Sequence, residues 1–475
     1  MSRQPNIVFI LMDDLGWRDL SCYGSTFYET PNLDRLARQG IRFTDAYAAC
    51  PVCSPTRASI MSGKYPARVG VTNYIAYGTH HPARGKLVDA PYVKELSLSE
   101  TSVATALREG GYQTWHVGKW HLGKEPTWPD RHGFDVNIGG CDKGHPHDGY
   151  FAPYKIPSLA EGPDGEYLTE RLTDEAVRLI RNRQAGKPFF LNFWHYAPHT
   201  PLQAPEHLVQ KYRDKARRLR LDQINPIVSG EPHPAEHRSG QFVQRRIIQS
   251  NPHYAAMIET IDDSVGRIMQ VLDEIGEADN TLLIFTSDNG GLATTEGSPT
   301  CNSPLAEGKG WMYEGGTRDP LIVRWPGRIT PDSTCVEPIT SPDFYPTLLE
   351  AAGLSPRPAQ HVDGVSIMPL LEGKPQTRGP IFWHYPHYGN QGCTPGSSVR
   401  EGDWKLIEFF EDGRLELYNL REDVSEAHNL AAARPQITRR MHASLKAWRE
   451  SVEALMPTTN ADWKPVSSEK SPSTA

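Results

Sequence analysis

The 475-residue chain has no surplus of positive charge: 50 Lys and Arg stand against 57 Asp and Glu, a formal net charge of -7. Without a basic field to meet phosphates, nucleic acid is excluded as a partner. Nor does the N-terminal region offer a membrane span. Its apolar run Ile7–Met12 ends in two aspartates and is far too short to cross a bilayer. No basic segment, apolar core and small-residue cleavage site precede it, so the chain as written reads as cytoplasmic and not membrane-bound, with a periplasmic or secreted protein stripped of its signal as the alternative. Cysteine is scarce: seven, at positions 22, 50, 53, 141, 301, 335 and 393. They give neither a zinc-ligand spacing nor a dense disulfide framework. The C-x-x-C of Cys50 and Cys53 lies in proline-rich surroundings that lack the strand-helix-strand context of a redox pair. Internal repeats and low-complexity stretches are absent from the core, and nothing in the sequence fixes an oligomeric state.

What is present is a loop-rich chain, with 40 Gly and 40 Pro, and loops are where sites are usually built. Apolar runs predict strands over 7–12, 113–117, 189–193, 282–286 and 321–325. Residues spaced by three and four predict helices from Tyr254 to Ile275 and from Leu168 to Ile180. Continuous apolar strands alternating with amphipathic helices imply an α/β fold, a large mostly parallel mixed sheet sandwiched by helices. After Asp363-Gly364 the pattern changes to short strands over 381–383, 404–407 and 415–418 and a closing helix over Met441–Leu455. That predicts a smaller domain with an antiparallel sheet and a helix. The expected boundaries are a catalytic domain over 1–370, a C-terminal subdomain over 371–460 and a disordered tail over 461–475.

In open α/β sheets, sites form beyond the carboxyl ends of strands. Two strand ends carry acids: Asp13 and Asp14 follow 7–12, while Asp288 and Asn289 follow 282–286. Three carboxylates and an amide oxygen make a hard-oxygen site for Ca²⁺ or Mg²⁺. Taken separately, the same residues also read as helix caps and turn formers. A third element, Cys53-Ser54-Pro55-Thr56-Arg57, reads either as a proline turn opening a helix, with an inert buried thiol, or as a reactive position beside the planar donor fork of Arg57.

The pattern Cys53-x-Pro55-x-Arg57 resembles the modification motif of type I sulfatases, in which the cysteine is oxidised to formylglycine. Other segments are similar to that family in the same order: Gly118-Lys119-Trp120-His121-Leu122-Gly123, His199 in Ala197-Pro198-His199-Thr200-Pro201, the Lys309 segment through Gly316, and strands around Asp403–Lys405 and Leu417–Leu420. Departures are Thr56 where Ser is common and Ser62-Gly63-Lys64 where Thr-Gly-Arg is common. The resemblance implies an alkaline-phosphatase-like fold and hydrolysis of a sulfate ester by a formylglycine hydrate, through transesterification then elimination. It implies one Ca²⁺, with Mg²⁺ the alternative, held by Asp13, Asp14, Asp288, Asn289 and the formylglycine oxygen at 53. A formylglycine-generating maturase is implied as a partner. Arg57, Lys119 and Lys309 would neutralise sulfate, His199 with Lys309 beside it would protonate the leaving alcohol, and His121 would be the base for elimination.

The expected substrate is a sulfated carbohydrate. A small aryl sulfate, a phosphomonoester or phosphonate, and silent binding of sulfated glycans are the alternatives. Trp115, Trp120 and Trp311 read as core or as sugar-stacking residues. The segments 139–148 and Trp383–His387 read as sugar-binding loops or as ordinary ones.

Overall fold

The structure, a computed structural model, describes residues 3–77 and 85–464. The tail expected over 461–475 lies outside the described residues from 465 onward. A nine-stranded sheet organises the molecule, in the order Ser333–Cys335, Ile41–Tyr47, Arg318–Arg324, Thr281–Ser287, Asn6–Met12, Phe189–Trp194, Gln113–Gly118 and Val136–Ile138. The short Ile339–Thr340 is also paired to Ile41–Tyr47. From Thr281–Ser287 to Val136–Ile138 all neighbours run parallel, and Arg318–Arg324 is antiparallel to both of its own. The sheet is therefore mixed and mostly parallel, as the alternation of elements predicts.

Strand Asn6–Met12 is buried along its whole length. Side chains alternate across a strand, so Val8, Ile10 and Met12 join the helices Leu168–Arg181, Glu206–Arg218 and Pro252–Glu274 in one core. Ile7, Phe9 and Leu11 join Cys53–Ser62, Val103–Glu109 and Phe344–Ala351 in the other. Each such side chain contributes roughly 1.5–3 kcal/mol on burial, which is why Ile7–Met12 has no polar member before Asp13. The long helix starts where the sequence dictates. Asn251 Oδ1 accepts from the N–H groups of His253 and Tyr254, and Pro252 occupies the first helical position, where no N–H is needed. Among the described residues, no helix is long and apolar enough to cross a membrane.

A second, four-stranded antiparallel sheet follows, in the order Ile381–Tyr385, Gly396–Glu401, Trp404–Phe409 and Leu415–Asn419. Met441, Leu445 and Trp448 of the helix Pro435–Ser451 pack on its Val399, Leu406 and Leu417. Three expectations are corrected here. The helix begins six residues before Met441, at Pro435, whose fixed φ suits a first turn, and it stops at Ser451, leaving Leu455 in solvent. Strand Gly396–Glu401 was not expected, because its Gly-Ser-Ser start reads as loop. Trp383, His384 and Tyr385 lie within a buried strand rather than a sugar-binding loop. A fully buried ion network ties this sheet to the large one: Lys405 Nζ donates to Glu314 at 2.8 Å and stands 3.0 Å from Glu426, while Arg318 pairs with Glu314.

Asp319, on the antiparallel strand, is buried with neither carboxylate oxygen hydrogen-bonded. Burial, reinforced by the negative charges of Asp288 and Asp14, raises its pKa well above the carboxylate range. The folded state therefore keeps a proton that the unfolded chain releases near pH 4, so stability falls as pH rises above that value. Asp319→Leu is expected to remove this fall in urea-denaturation midpoints between pH 5 and 8, and to stabilise by about 1–3 kcal/mol at pH 8 by deleting an unsatisfied group. A variant less stable than wild type at pH 8 would refute this.

Candidate functional site

The register of the parallel strands aligns their carboxyl ends. Met12 pairs with Ser287, Leu11 with Trp194 and Trp194 with Gly118, so the next residues of each strand leave the sheet together. Backbone hydrogen bonds stitch these exits: Asp288 N to Met12 O at 3.1 Å, Asp13 N to Ala197 O at 3.2 Å and Lys119 N to Trp194 O at 2.7 Å. Helix Cys53–Ser62 points its first residue into the same place, and Gly63 in the left-handed region (φ 69°) ends it. Asp14 (φ 71°) and His121 (φ 57°) also adopt left-handed backbone, a conformation that non-glycine residues hold only where surrounding contacts enforce it.

The expected metal residues converge. One oxygen of Asp13 and one of Asp288 lie with Cys53 Sγ within 4.8 Å of one another, and Asp13, Asp14 and His199 form a second such group. Asn289 donates its amide N–H to Asp14 Oδ1 at 2.9 Å, which turns its Oδ1 the other way. That oxygen and Asp13 Oδ1 are buried acceptors with no hydrogen-bond donor. Orphaned hard oxygens beside three carboxylates are what a divalent cation would satisfy. Burial pushes all three carboxyls upward. It prevails at Asp13, and at Asp288, which is raised to about 6, whereas Lys309 and His199 hold Asp14 below the ordinary range.

Cations line the acidic cluster. Arg57 donates through Nε to Asp288 Oδ2 at 2.8 Å and through a terminal nitrogen to the Lys119 carbonyl at 3.1 Å, with its guanidinium 5.1 Å from the Trp194 ring centroid. Lys119 Nζ donates to Asp13 Oδ2 at 2.6 Å, and Lys309 Nζ to Asp14 Oδ2 at 2.7 Å.

The two histidines are held in opposite tautomers by backbone carbonyls. His121 Nε2–H donates to Ile75 O at 2.7 Å, so the Nδ1 lone pair faces Cys53 Sγ at 3.3 Å. Ser54 Oγ fixes both backbones, accepting from Ile75 N and donating to His121 O. His199 Nδ1–H donates to Thr200 O at 2.8 Å, so Nε2 accepts from Lys309 Nζ at 3.0 Å. Burial, together with Lys119, keeps His121 far below the usual imidazole range, and burial with Lys309 lowers His199 to about 4. Both rings are neutral. Burial also raises the Cys53 thiol, so an unmodified Cys53 is a poor nucleophile.

All ten residues singled out by sequence, with Cys53 counted once in both its roles, thus share one buried site. Sequence reasoning missed the carbonyls of Ile75 and Thr200, which set the tautomers, and Trp194 beneath Arg57. Trp115, Trp120 and Trp311 are buried packing residues. Outside this centre, His145, in the segment 139–148 that reads from sequence as a sugar-binding loop or an ordinary one, stacks on His199.

Comparison with known proteins identifies the family. The model of the family described as Sulfatase matches residues 5–354, and that described as N-sulphoglucosamine sulphohydrolase, C-terminal, matches 307–451. A sulfatase of Formosa agariphila is 33% identical over 94% of the chain and 89% of its own length. Human N-acetylgalactosamine-6-sulfatase is 33% identical over 80% of the chain and 68% of its own length. The crystal structure of Ps i-CgsB in complex with k-i-k-neocarrahexaose superposes with a TM-score of 0.75 at 28% identity, covering 98% of this chain and 96% of that one. A family model that spans most of the chain and a relative one-third identical over nearly its whole length show the family: the chain belongs to the sulfatases, hydrolases of sulfate esters on an alkaline-phosphatase-like fold.

Proposed function

We propose that this sulfatase acts on a sulfated carbohydrate through a formylglycine made from Cys53. The observation that carries the reading is the setting of residue 53: its Sγ is within 4.8 Å of carboxylate oxygens of Asp13 and Asp288 and faces a histidine lone pair. Formylglycine there would supply, as its hydrate, one hydroxyl to attack sulfur and a second whose deprotonation expels sulfate. Asp13, Asp14, Asp288 and Asn289 would hold one Ca²⁺, with Mg²⁺ the alternative, which supplies neutralising charge and acidifies a bound hydroxyl.

The chain's own residues supply the remaining work. Lys119 and Lys309 face the site with their ammonium groups and would share their hydrogen bonds between the acids and the sulfate oxygens. Arg57 holds Asp288 in place and keeps the cluster neutral enough to receive an anion. His121, neutral and pinned at Nε2, accepts the proton of the second hydroxyl at Nδ1. We assign the proton for the leaving oxygen to the Lys309–His199 pair rather than to His199 alone, since His199 is neutral and its Nε2 accepts from the Lys309 ammonium at 3.0 Å. Support for a carbohydrate substrate comes from the names of relatives that act on N-acetylgalactosamine and N-acetylglucosamine sulfates, and from the oligosaccharide bound in a structural relative.

Peptide mass spectrometry of protein made together with a maturase is expected to find the Cys53 peptide lighter by the difference between a thiol-bearing and an aldehyde-bearing side chain. Full sulfatase activity with an intact thiol at 53 would overturn this chemistry. Chelation is expected to abolish activity and lower the melting temperature, with Ca²⁺ restoring both. An ion at 100 times its dissociation constant stabilises by about 2.7 kcal/mol. Unchanged melting with chelator, Ca²⁺ and Mg²⁺ would exclude the metal.

A further inference from the structure

Three side chains stand one step outward from the groups that move protons and charge. The first is His145, half-buried, whose ring stacks on His199 with centroids 5.5 Å apart and planes within 6°. Gly144 before it presses on the other histidine: a Cβ there would lie 2.7 Å from His121 Cε1. The peptide between residues 144 and 145 therefore bridges the two imidazoles, and His145 projects beside the leaving-group end of the site. The second is Tyr74, 37% exposed, adjacent to the Ile75 carbonyl that holds His121. The third is Glu296, exposed at φ 52°, whose carboxylate accepts from Asn390 Nδ2 at 2.9 Å and Gln391 Nε2 at 3.1 Å. Gln391 in turn packs against Gly310, the neighbour of Lys309, where a Cβ would lie 2.4 Å from its Oε1.

We propose that His145, Tyr74 and Glu296 form the wall that receives the alcohol half of the ester, and that this wall selects a neutral, polyhydroxylated ring. An aromatic face suits the C–H face of a sugar, while a neutral imidazole and a carboxylate suit its hydroxyls. Burial and the neighbouring His199 keep His145 uncharged, with a pKa near about 3. The Glu296 carboxylate is steadied by two amides and, among the described residues, makes no salt bridge, so its charge repels a second sulfate or a carboxylate on the same sugar. The inference rests on the sulfatase chemistry proposed for Cys53, and its test separates the two.

The matured, metal-loaded enzyme and its variants are assayed on N-acetylgalactosamine 6-sulfate, its 4,6-disulfate and 4-nitrophenyl sulfate. His145→Ala is expected to raise KM for the monosulfated sugar about tenfold, with kcat and the constants for 4-nitrophenyl sulfate changed by less than about threefold, and His145→Gln to recover part of the loss. Glu296→Gln is expected to improve the disulfate relative to the monosulfate by about tenfold. Equal losses on the sugar and the aryl ester in His145→Ala, or an unchanged ratio in Glu296→Gln, overturn the wall. Wild-type turnover of the aryl ester with none of either sugar overturns the wall but leaves the sulfatase chemistry standing. No turnover of any of the three overturns both.

Discussion

Replacing Cys53 by alanine is expected to cut sulfate release by at least about 10⁴-fold while leaving the melting temperature within a few degrees of wild type. The activity loss follows from position. Among the described residues, no other nucleophile is held beside both a neutral histidine lone pair and the acidic cluster. The fold should survive because Cys53 is the first residue of its helix, where alanine is well tolerated; only the contact of Sγ with His121 is lost. Serine is the more informative replacement. One hydroxyl can attack sulfur, yet no second hydroxyl remains to expel sulfate, so Cys53→Ser is expected to release alcohol in a single burst and then stop. Steady turnover by either variant, followed as sulfate over many enzyme equivalents, would remove residue 53 from the reaction.

Arg57→Ala is expected to damage stability and catalysis together. Its guanidinium is wholly buried, bonded to Asp288 and to the Lys119 carbonyl, with Asp13 Oδ1 3.8 Å away. Deleting it leaves Asp288 next to Asp13 and Asp14 without its main counter-charge. Breaking a buried pair in this way costs about 3–5 kcal/mol, and losing a fixed cation near the developing charge lowers kcat by about 10²–10³-fold. Bound Ca²⁺ should offset part of the first effect and little of the second. Lysine keeps the charge without the planar fork, so Arg57→Lys is expected to regain stability more than activity. Urea denaturation with and without Ca²⁺, run beside kcat/KM, separates these contributions. Wild-type values in both measurements would show Arg57 to be dispensable.

Strands 7–12, 113–117, 189–193, 282–286 and 321–325 of the main sheet were legible as apolar-rich runs, with acids marking where two of them, 7–12 and 282–286, meet the site, whereas the partly exposed Ile41–Tyr47 and Val136–Ile138 and the short Ser333–Cys335 and Ile339–Thr340 were not. Strand Gly396–Glu401 was not, since small and polar residues fill it and its burial comes from its neighbours. The candidate site residues, which the fold brings together, were also named from spacing and resemblance. Their division of labour was less legible. Whether His121 presents Nδ1 or Nε2 depends on where the Ile75 carbonyl lies, and the partnership of His199 with Lys309 joins residues 110 positions apart. Asp319 is the plainest case: it lies just before the apolar run 321–325 that predicts the strand, yet the strand begins at Arg318 and carries it inside.

The central place of strand Asn6–Met12 also has a bearing on how the protein is made. The earliest strand of the sheet to leave the ribosome is its middle one, and its two neighbours end at Trp194 and Ser287. At roughly 5–20 residues per second, about 275 residues separate its synthesis from completion of its later partner, an interval of roughly 14–55 s. Until Trp194 is made the apolar strand has two unpaired edges, and one edge stays unpaired until Ser287 follows, which is an aggregation hazard and an occasion for chaperones. The same delay keeps the Cys53 segment, sealed in the finished fold, open as extended chain to any enzyme that must reach it.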